Sequence, residues 1–111
     1  MSQFVSIYIT TSNEETATQL AQKLVVENLV ACTNIIPTIK SIYKWKGDLQ
    51  INGEAVILCK TTKAMEQLVI KRVCELHVYD MPCVVSTDIA DGNGDFLNWI
   101  DQSVSQKGGQ Q

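Results

Sequence analysis

Cysteine and histidine are the side chains of this sequence with the clearest capacity for chemistry. Cys74 and His77 lie three residues apart within a helical pattern, so both side chains can reach one point beside the helix. Cys83 follows Pro82 directly, and Cys32 opens a long strand pattern. Thiolate and imidazole together favour soft or borderline metals such as Cu(I) or zinc. These residues support the hypothesis of a metal site.

A structural role is the alternative for each of these side chains. No pair of cysteines has the close spacing of a structural zinc site. A single cysteine is commonly a small buried apolar residue, and Cys59, inside the apolar run 55–59, is predicted to be one. His77 ends a predicted helix, where it can either pack against the helix end or bind a ligand. The sequence leaves both roles open.

The segment 76–82 joins a predicted helix to a strand and concentrates polar groups. His77, Tyr79 and Asp80 provide an imidazole, a phenol and a carboxylate close together in the chain. Such junctions often carry function, and the alternative is that these groups satisfy one another. Lys60, at the end of an apolar strand, is expected to point towards this segment. It needs a partner, which Glu54, Asp80 or a neighbouring chain would supply.

The sequence offers little for catalysis or for nucleic-acid binding. It contains one histidine and one arginine, Arg72, which falls in the middle of a predicted helix. A nucleophile elbow and a Gly-rich phosphate loop are both absent, and phosphoryl transfer usually needs arginine or a metal at the transferred group. The net charge of −3 lacks the lysine and arginine excess that phosphate contacts require. We expect neither an enzyme nor a nucleic-acid-binding protein.

Periodicity predicts alternating strands and helices that would position these groups. Ser12 and Glu15 have the spacing of a capping box, and Asn28 is a plausible helix end. The predicted elements are a strand over 4–11, a helix up to 28, a strand over 35–45, turns at 47–48 and again at 52–53, a strand over 54–61, a helix opened by Thr62, a strand over 83–89 and a short helix capped by Asp95. This order, β-α-β-β-α-β plus a C-terminal helix, is the ferredoxin-like α+β pattern.

The strand over 35–45 is the most informative element. It alternates, with Ile39, Ser41, Tyr43 and Trp45 on one face and a row of lysines, interpreted as a solvated face, on the other. It is about twice the usual strand length of roughly five to six residues, and Pro37 predicts an edge, a bulge or a bend within it. Such a strand overhangs a small sheet, so we expect a second chain to cover its apolar side chains.

Length and composition are typical of one small domain. With 111 residues and 45% hydrophobic residues, the chain can bury a core, and we predict one domain over 1–105 with a polar, disordered tail over 106–111. The apolar runs are far too short to span a membrane, and no secretory leader is evident. The scattered cysteines then indicate reduced thiols and a cytoplasmic location without membrane partners.

Several motifs together resemble the CutA family, the divalent-cation tolerance proteins, over nearly the whole chain. They are Ala31-Cys32-x-Asn34-Ile35-Ile36-Pro37, Ser41-Ile42-Tyr43-x-Trp45-x-Gly47, Lys60-Thr61, His77-x-Tyr79 with Pro82, and Leu97-x-Trp99-Ile100. The resemblance implies a ferredoxin-like subunit in a tight homotrimer, in which long hairpins wrap around neighbouring subunits. That architecture is similar to the trimeric nitrogen-regulatory signal proteins.

The resemblance also implies a function in the response to metal ions. The family is associated with tolerance to copper and other divalent metals, and copper binding is reported for it. Some bacterial members carry a metal-binding cysteine near the end of the first strand, where this chain has Ile9-Thr10-Thr11. Copper or another divalent metal would therefore have His77, Cys83 and Cys32 as its candidate ligands here.

A signalling or scaffold module without catalysis is the alternative function. In that case the clefts between subunits would bind a small anion or a partner protein. The residues assigned to these clefts are Lys60, Tyr79, Asp80, Tyr43 and Trp45. An enzyme of the acyl phosphatase type shares this fold pattern, but the single arginine argues against it.

Overall fold

The computed structural model describes residues 3–109 and shows a small α+β fold. Its elements are β1 (Phe4–Thr11), α1 (Glu14–Val26), β2 (Cys32–Trp45), β3 (Asp48–Thr62), a short 3-10 helix (Lys63–Met65), α2 (Glu66–Leu76), β4 (Val84–Asp88) and α3 (Gly94–Gly109). The four strands form one sheet in the order β2-β3-β1-β4, and every neighbouring pair is antiparallel. The predicted order of strands and helices is confirmed.

One face of the sheet carries the main core. Alternate residues of β1, namely Val5, Ile7 and Ile9, are fully buried and lie opposite β3 residues that are buried as well. The apolar stripes of α1 and α2 cover them, because both helices repeat apolar residues at helical spacing. The helix residues in this core are Ala17, Leu20, Ala21, Leu24, Val69 and Val73.

A second, smaller contact lies outside this core cluster. Val56 of β3 is 1% exposed, and its neighbours in the strand belong to the opposite face. Helix α3 contacts β3 and buries Ile100 and Val104, which are likewise not part of the main core. We infer that α3 covers part of the second face of the sheet, while Tyr8 and Val85 on that face remain exposed.

The β2–β3 hairpin extends beyond the sheet. β1 pairs with residues 55–62 of β3, so residues 48–54 pair with β2 alone. We call this two-stranded part, residues 39–54, the hairpin arm. β2 is an edge strand, and its register shifts between Ile36 and Ile39, so the edge, bulge or bend predicted at Pro37 is confirmed. The predicted alternation is confirmed too, because Ile39 pairs with Glu54 and Tyr43 with Gln50 on one face.

The second predicted turn, at Asn52-Gly53, is wrong. The chain reverses once, at Lys46 and Gly47, whose φ angles of 52° and 86° are both left-handed, as a tight hairpin turn requires. β3 then continues through Asn52 and Gly53, which lie opposite Ser41 and Lys40.

Two helix starts differ from the prediction by a residue or two. Asn13, not Ser12, caps α1, and its capping box uses Thr16 in place of Glu15. Asn93, not Asp95, accepts the backbone N–H groups at the start of α3. The end predicted for α1 is confirmed, since Asn28 follows the helix with φ 59°.

The structure covers the C-terminal end of the chain only in part. α3 runs to Gly109, and residues 110 and 111 lie outside the described part, as do the side chains from 106 onwards. Disorder of the tail over 106–111 therefore stays a prediction. Within residues 3–109 no helix has both the length and the apolar character needed to cross a membrane.

Candidate functional site

A polar cluster lies where the segment after α2 meets the hairpin arm. The Tyr79 hydroxyl donates to Oε2 of Glu54 at 2.9 Å. On the same face of the arm, the Asn52 side-chain amide donates to the Tyr43 hydroxyl at 2.6 Å. The Tyr79 ring lies 4.8 Å from the His77 ring, measured between centroids. We call these five residues the phenol–carboxylate cluster.

His77 fixes the segment that carries Tyr79. It follows α2 with ψ 147°, so the backbone leaves the helix at this residue. Its Nδ1 accepts from the backbone N–H of Tyr79 at 3.0 Å, and its Nε2 lies 2.6 Å from the Thr10 carbonyl oxygen. A carbonyl oxygen only accepts, so Nε2 carries the proton and the ring is neutral. Both ring nitrogens are thus used to anchor the backbone.

The environment of Tyr79 keeps its hydroxyl protonated. Burial is the first cause, and the hydrogen bond to Glu54 adds to it, so the pKa of Tyr79 rises to about 12. The negative charges of Glu54 and of an ionised Tyr43 both disfavour the phenolate. The cluster therefore suits hydrogen bonding to a ligand or partner, and Tyr79 is unsuited to act as a base near neutral pH.

The three predicted metal ligands do not form one site within a single chain. Cys83 precedes β4 and Cys32 begins β2, and these strands are the two opposite edges of the sheet, about 14 Å apart. His77 lies on the Cys83 side, because both residues bond to the backbone of Thr10. Along residues 3–109, no group of three or more histidine, cysteine or acidic side chains could hold a metal ion. Metal binding by His77, Cys83 and Cys32 stays a prediction.

The predicted cleft residues divide into four places. Tyr43 and Tyr79 come together in the phenol–carboxylate cluster. Lys60 lies towards the other end of β3, with its Nζ 3.0 Å from Oδ1 of Asn34. Trp45 is at the tip of the arm and 46% exposed, and Asp80 is exposed in the segment after α2.

Sequence reasoning did not assign Glu54 or Asn52 to the site. The sequence offers Glu54 only as one of three possible partners of Lys60, beside Asp80 and a neighbouring chain, and it predicts a turn at Asn52. The available signal was a carboxylate directly before the buried run 55–57, where β3 leaves the sheet and becomes the arm. An acidic residue at that boundary needs a donor, and Tyr79 provides it.

The fold and this site define a class of small α+β proteins with a four-stranded antiparallel sheet, three helices and a long projecting hairpin. The family model described as "CutA1 divalent ion tolerance protein" matches residues 5–103. The chain belongs to this family.

Relatives and solved structures agree with that assignment. The chain is 39% identical over 98 residues to "Divalent-cation tolerance protein CutA" of Thermus thermophilus, which covers 88% of this chain and 95% of the relative. It is 34% identical over 100 residues to "Protein CutA, chloroplastic" of Arabidopsis thaliana, covering 90% of this chain and 55% of the longer plant protein. A solved structure of "the Periplasmic divalent cation tolerance protein CutA" from Archaeoglobus fulgidus superposes with a TM-score of 0.88 at 35% identity, covering 91% and 98% of the two chains.

Proposed function

We propose that this chain is a ferredoxin-like subunit of a cytoplasmic homotrimer that contributes to metal tolerance by binding copper or another divalent metal, without catalysis. Family membership supports the role in divalent-ion tolerance. The observation that supports the assembly is the hairpin arm, because the described residues 3–109 leave several of its apolar side chains exposed.

The arm exposes more apolar surface than a two-stranded hairpin can stabilise alone. Ile42 and Ile51 face each other across the strands and are 62% and 59% exposed, and the next residue on that face of β3, Leu49, is 63% exposed. An isolated hairpin is marginally stable in water, and contiguous exposed apolar side chains usually mark an interface. A neighbouring subunit lying against this face would satisfy both requirements.

A trimer also offers the metal ligands a way to meet. One chain keeps Cys32 and Cys83 on opposite edges of its sheet, and both are accessible, Cys32 in part. Edge strands are the parts of a sheet that approach neighbouring chains. We propose that any site using these two thiols takes them from different subunits.

A second candidate function is favoured by the phenol–carboxylate cluster. Its members converge on the base of the arm, where a neighbouring subunit would form the remaining wall of a cleft. Such a cleft would bind a small molecule or a partner protein through the hydroxyl and amide groups. This function belongs to a signalling or scaffold module and also needs no catalysis.

Mass in solution tests the assembly. Light scattering of the wild-type chain at micromolar concentration should give three times the mass of 12.3 kDa. Ile42→Asp should reduce the mass to that of one chain, because a carboxylate would be buried without a partner. Val26→Asp is the matched control, since Val26 is 78% exposed on α1 and away from the arm. A wild-type monomer, or a trimer unaffected by Ile42→Asp, would contradict the proposal.

Elemental analysis tests the metal. Protein purified without a metal-affinity tag should take up Cu(I), and Cys32→Ser and Cys83→Ser should each lower the number of ions bound per trimer. Cys74→Ser is the control, because Cys74 is also exposed but lies on α2. Equal copper content in all variants, or no copper in the wild type, would favour the cleft function instead.

A further inference from the structure

A small pocket lies between α1 and the end of α2, and His77 is the one lining residue that it shares with the sites proposed above. It has a volume of about 100 Å³ and lies entirely within one chain. Gln19 and Lys23 of α1 form one side, at the i, i+4 spacing that places both side chains on one face of the helix. Leu76 and Val78, at the end of α2 and in the segment after it, form the other side.

The polar side of this pocket is cationic. None of the described residues that line it carries a carboxylate. Lys23 takes part in none of the ion pairs found among residues 3–109, where the lysine and arginine partners are Lys63 and Arg72. The pocket therefore presents an ammonium group without a counter-charge in its lining.

The other polar groups of the lining are mostly occupied. The Thr16 hydroxyl takes part in the capping interactions with Asn13. Both ring nitrogens of His77 bond to the backbone. The Thr11 hydroxyl lies 3.3 Å from the Thr16 hydroxyl, so the two can bond to each other. The donors left for a ligand are then the Lys23 ammonium and the side-chain amide of Gln19, which lie on the same face of α1.

The floor of the pocket is apolar. Leu20 is 7% exposed and belongs to the core, and Leu76 packs against that core. A ligand that fits this arrangement has an anionic group at one end and a short hydrocarbon part at the other. A volume of about 100 Å³ leaves room in the pocket for a ligand of only a few heavy atoms.

We propose that this pocket binds a short-chain carboxylate of the size of acetate or propionate. The carboxylate accepts hydrogen bonds from Lys23 and Gln19, and the alkyl group lies on Leu20, Leu76 and Val78. Affinity is in the millimolar range, because a ligand of four or five heavy atoms has little contact area.

His77 provides a clean spectroscopic reporter, because it is the only histidine and lines the pocket. Acetate, propionate and inorganic phosphate are titrated separately into the full chain at pH 7.5, with ionic strength held constant by sodium chloride. The imidazole proton resonances of His77 are followed by NMR. Saturable shifts are expected for both carboxylates, with propionate binding about fourfold tighter, since its extra methylene is buried.

Lys23→Gln should weaken acetate binding at least fivefold, and Lys23→Arg should restore most of it. Lys71→Gln is the matched control, because Lys71 is exposed on α2 and does not line the pocket. A linear, unsaturable shift of His77 would overturn the proposal. So would equal affinities in Lys23→Gln and wild type, or phosphate binding as tightly as propionate, which would exclude the apolar contact.

Discussion

The hydrogen bond between Tyr79 and Glu54 should stabilise the fold by joining two parts of the chain that are 25 residues apart. Tyr79→Phe removes the hydroxyl and leaves the ring in place. The pKa of Tyr79 is raised from 10.0 to about 12, first by burial and then by the hydrogen bond to Glu54. A hydrogen bond to a charged group contributes about 1.5 to 3 kcal/mol, and because Tyr79 is 36% exposed and water screens the bond, we expect a loss of about 1 kcal/mol.

The sign of the pH dependence follows from the direction of this shift. The folded chain holds the Tyr79 proton more tightly than the unfolded chain does, so the contribution is complete below pH 10. It is lost as the pH rises from 10 towards 12, where the phenol ionises in the folded state as well. Glu54→Gln should lower the pKa of Tyr79 but leave it above 10, because burial is the first cause of the shift.

A double-mutant cycle isolates the pair. Urea unfolding of wild type, Tyr79→Phe, Glu54→Gln and the double variant, at one protein concentration, should give a coupling energy of 0.5 to 1 kcal/mol, about what a part-exposed charge-assisted bond contributes. NMR titration of the Tyr79 Cζ resonance gives the pKa directly, with circular dichroism showing where the fold persists. Additive single effects, together with a pKa of Tyr79 near 10, would refute this account of the cluster.

Three further experiments test the parts of the fold that position the site. Thr61→Val should cost about 1 to 3 kcal/mol in urea unfolding, because the buried Thr61 hydroxyl donates to the Leu29 carbonyl at 2.7 Å and the valine would leave that oxygen unpaired; a neutral effect would contradict this. Asn28→Ala should destabilise by about 1 kcal/mol and Asn28→Gly should not, because φ is 59°; equal thermal midpoints would argue against it. Cys59, whose pKa burial raises to about 12, should resist iodoacetamide at pH 8 in the folded chain, whereas labelling as fast as that of the exposed thiols would show the core to be open.

Much of the fold could be predicted from local patterns. Strand β1 and helix α1 could be predicted because alternation and helical spacing each depend on neighbouring residues only. The bulge at Pro37 and the helix end at Asn28 were predictable for the same reason, since a proline and an asparagine restrict their own backbone.

The turn of the hairpin could not be chosen locally. Lys46-Gly47 and Asn52-Gly53 each contain a glycine, and both pairs suit a tight turn. Pairing over the whole length of β2 decides between them, because reversal at Lys46-Gly47 places Ile42 opposite Ile51 and lets Asn52 bond to Tyr43. That choice is made by contacts along the finished hairpin.

The polar contacts of the site were the least predictable part. Glu54 could bond to Lys60 or to Tyr79, and both partners are acceptable on chemical grounds. The sheet decides, because Lys60 lies six residues further along β3, beside Cys32 and within reach of Asn34. Side-chain chemistry identifies which residues need partners, and only the register identifies the partner.

The position of Glu54 links the site to the proposed assembly. It is the last residue of β3 before the strand gains β1 as a second neighbour, so it is where the hairpin arm begins. Tyr79 therefore contacts the base of the arm through its hydrogen bond to Glu54. The neutral His77 ring positions Tyr79, because its Nδ1 accepts from the Tyr79 backbone N–H and its Nε2 donates to the Thr10 carbonyl oxygen. A metal ion bound to His77 would have to displace one of these two hydrogen bonds and would thereby weaken the positioning of Tyr79. In the proposed trimer, metal binding at this histidine and the orientation of the arm towards a neighbouring subunit would consequently be coupled through His77, Tyr79 and Glu54.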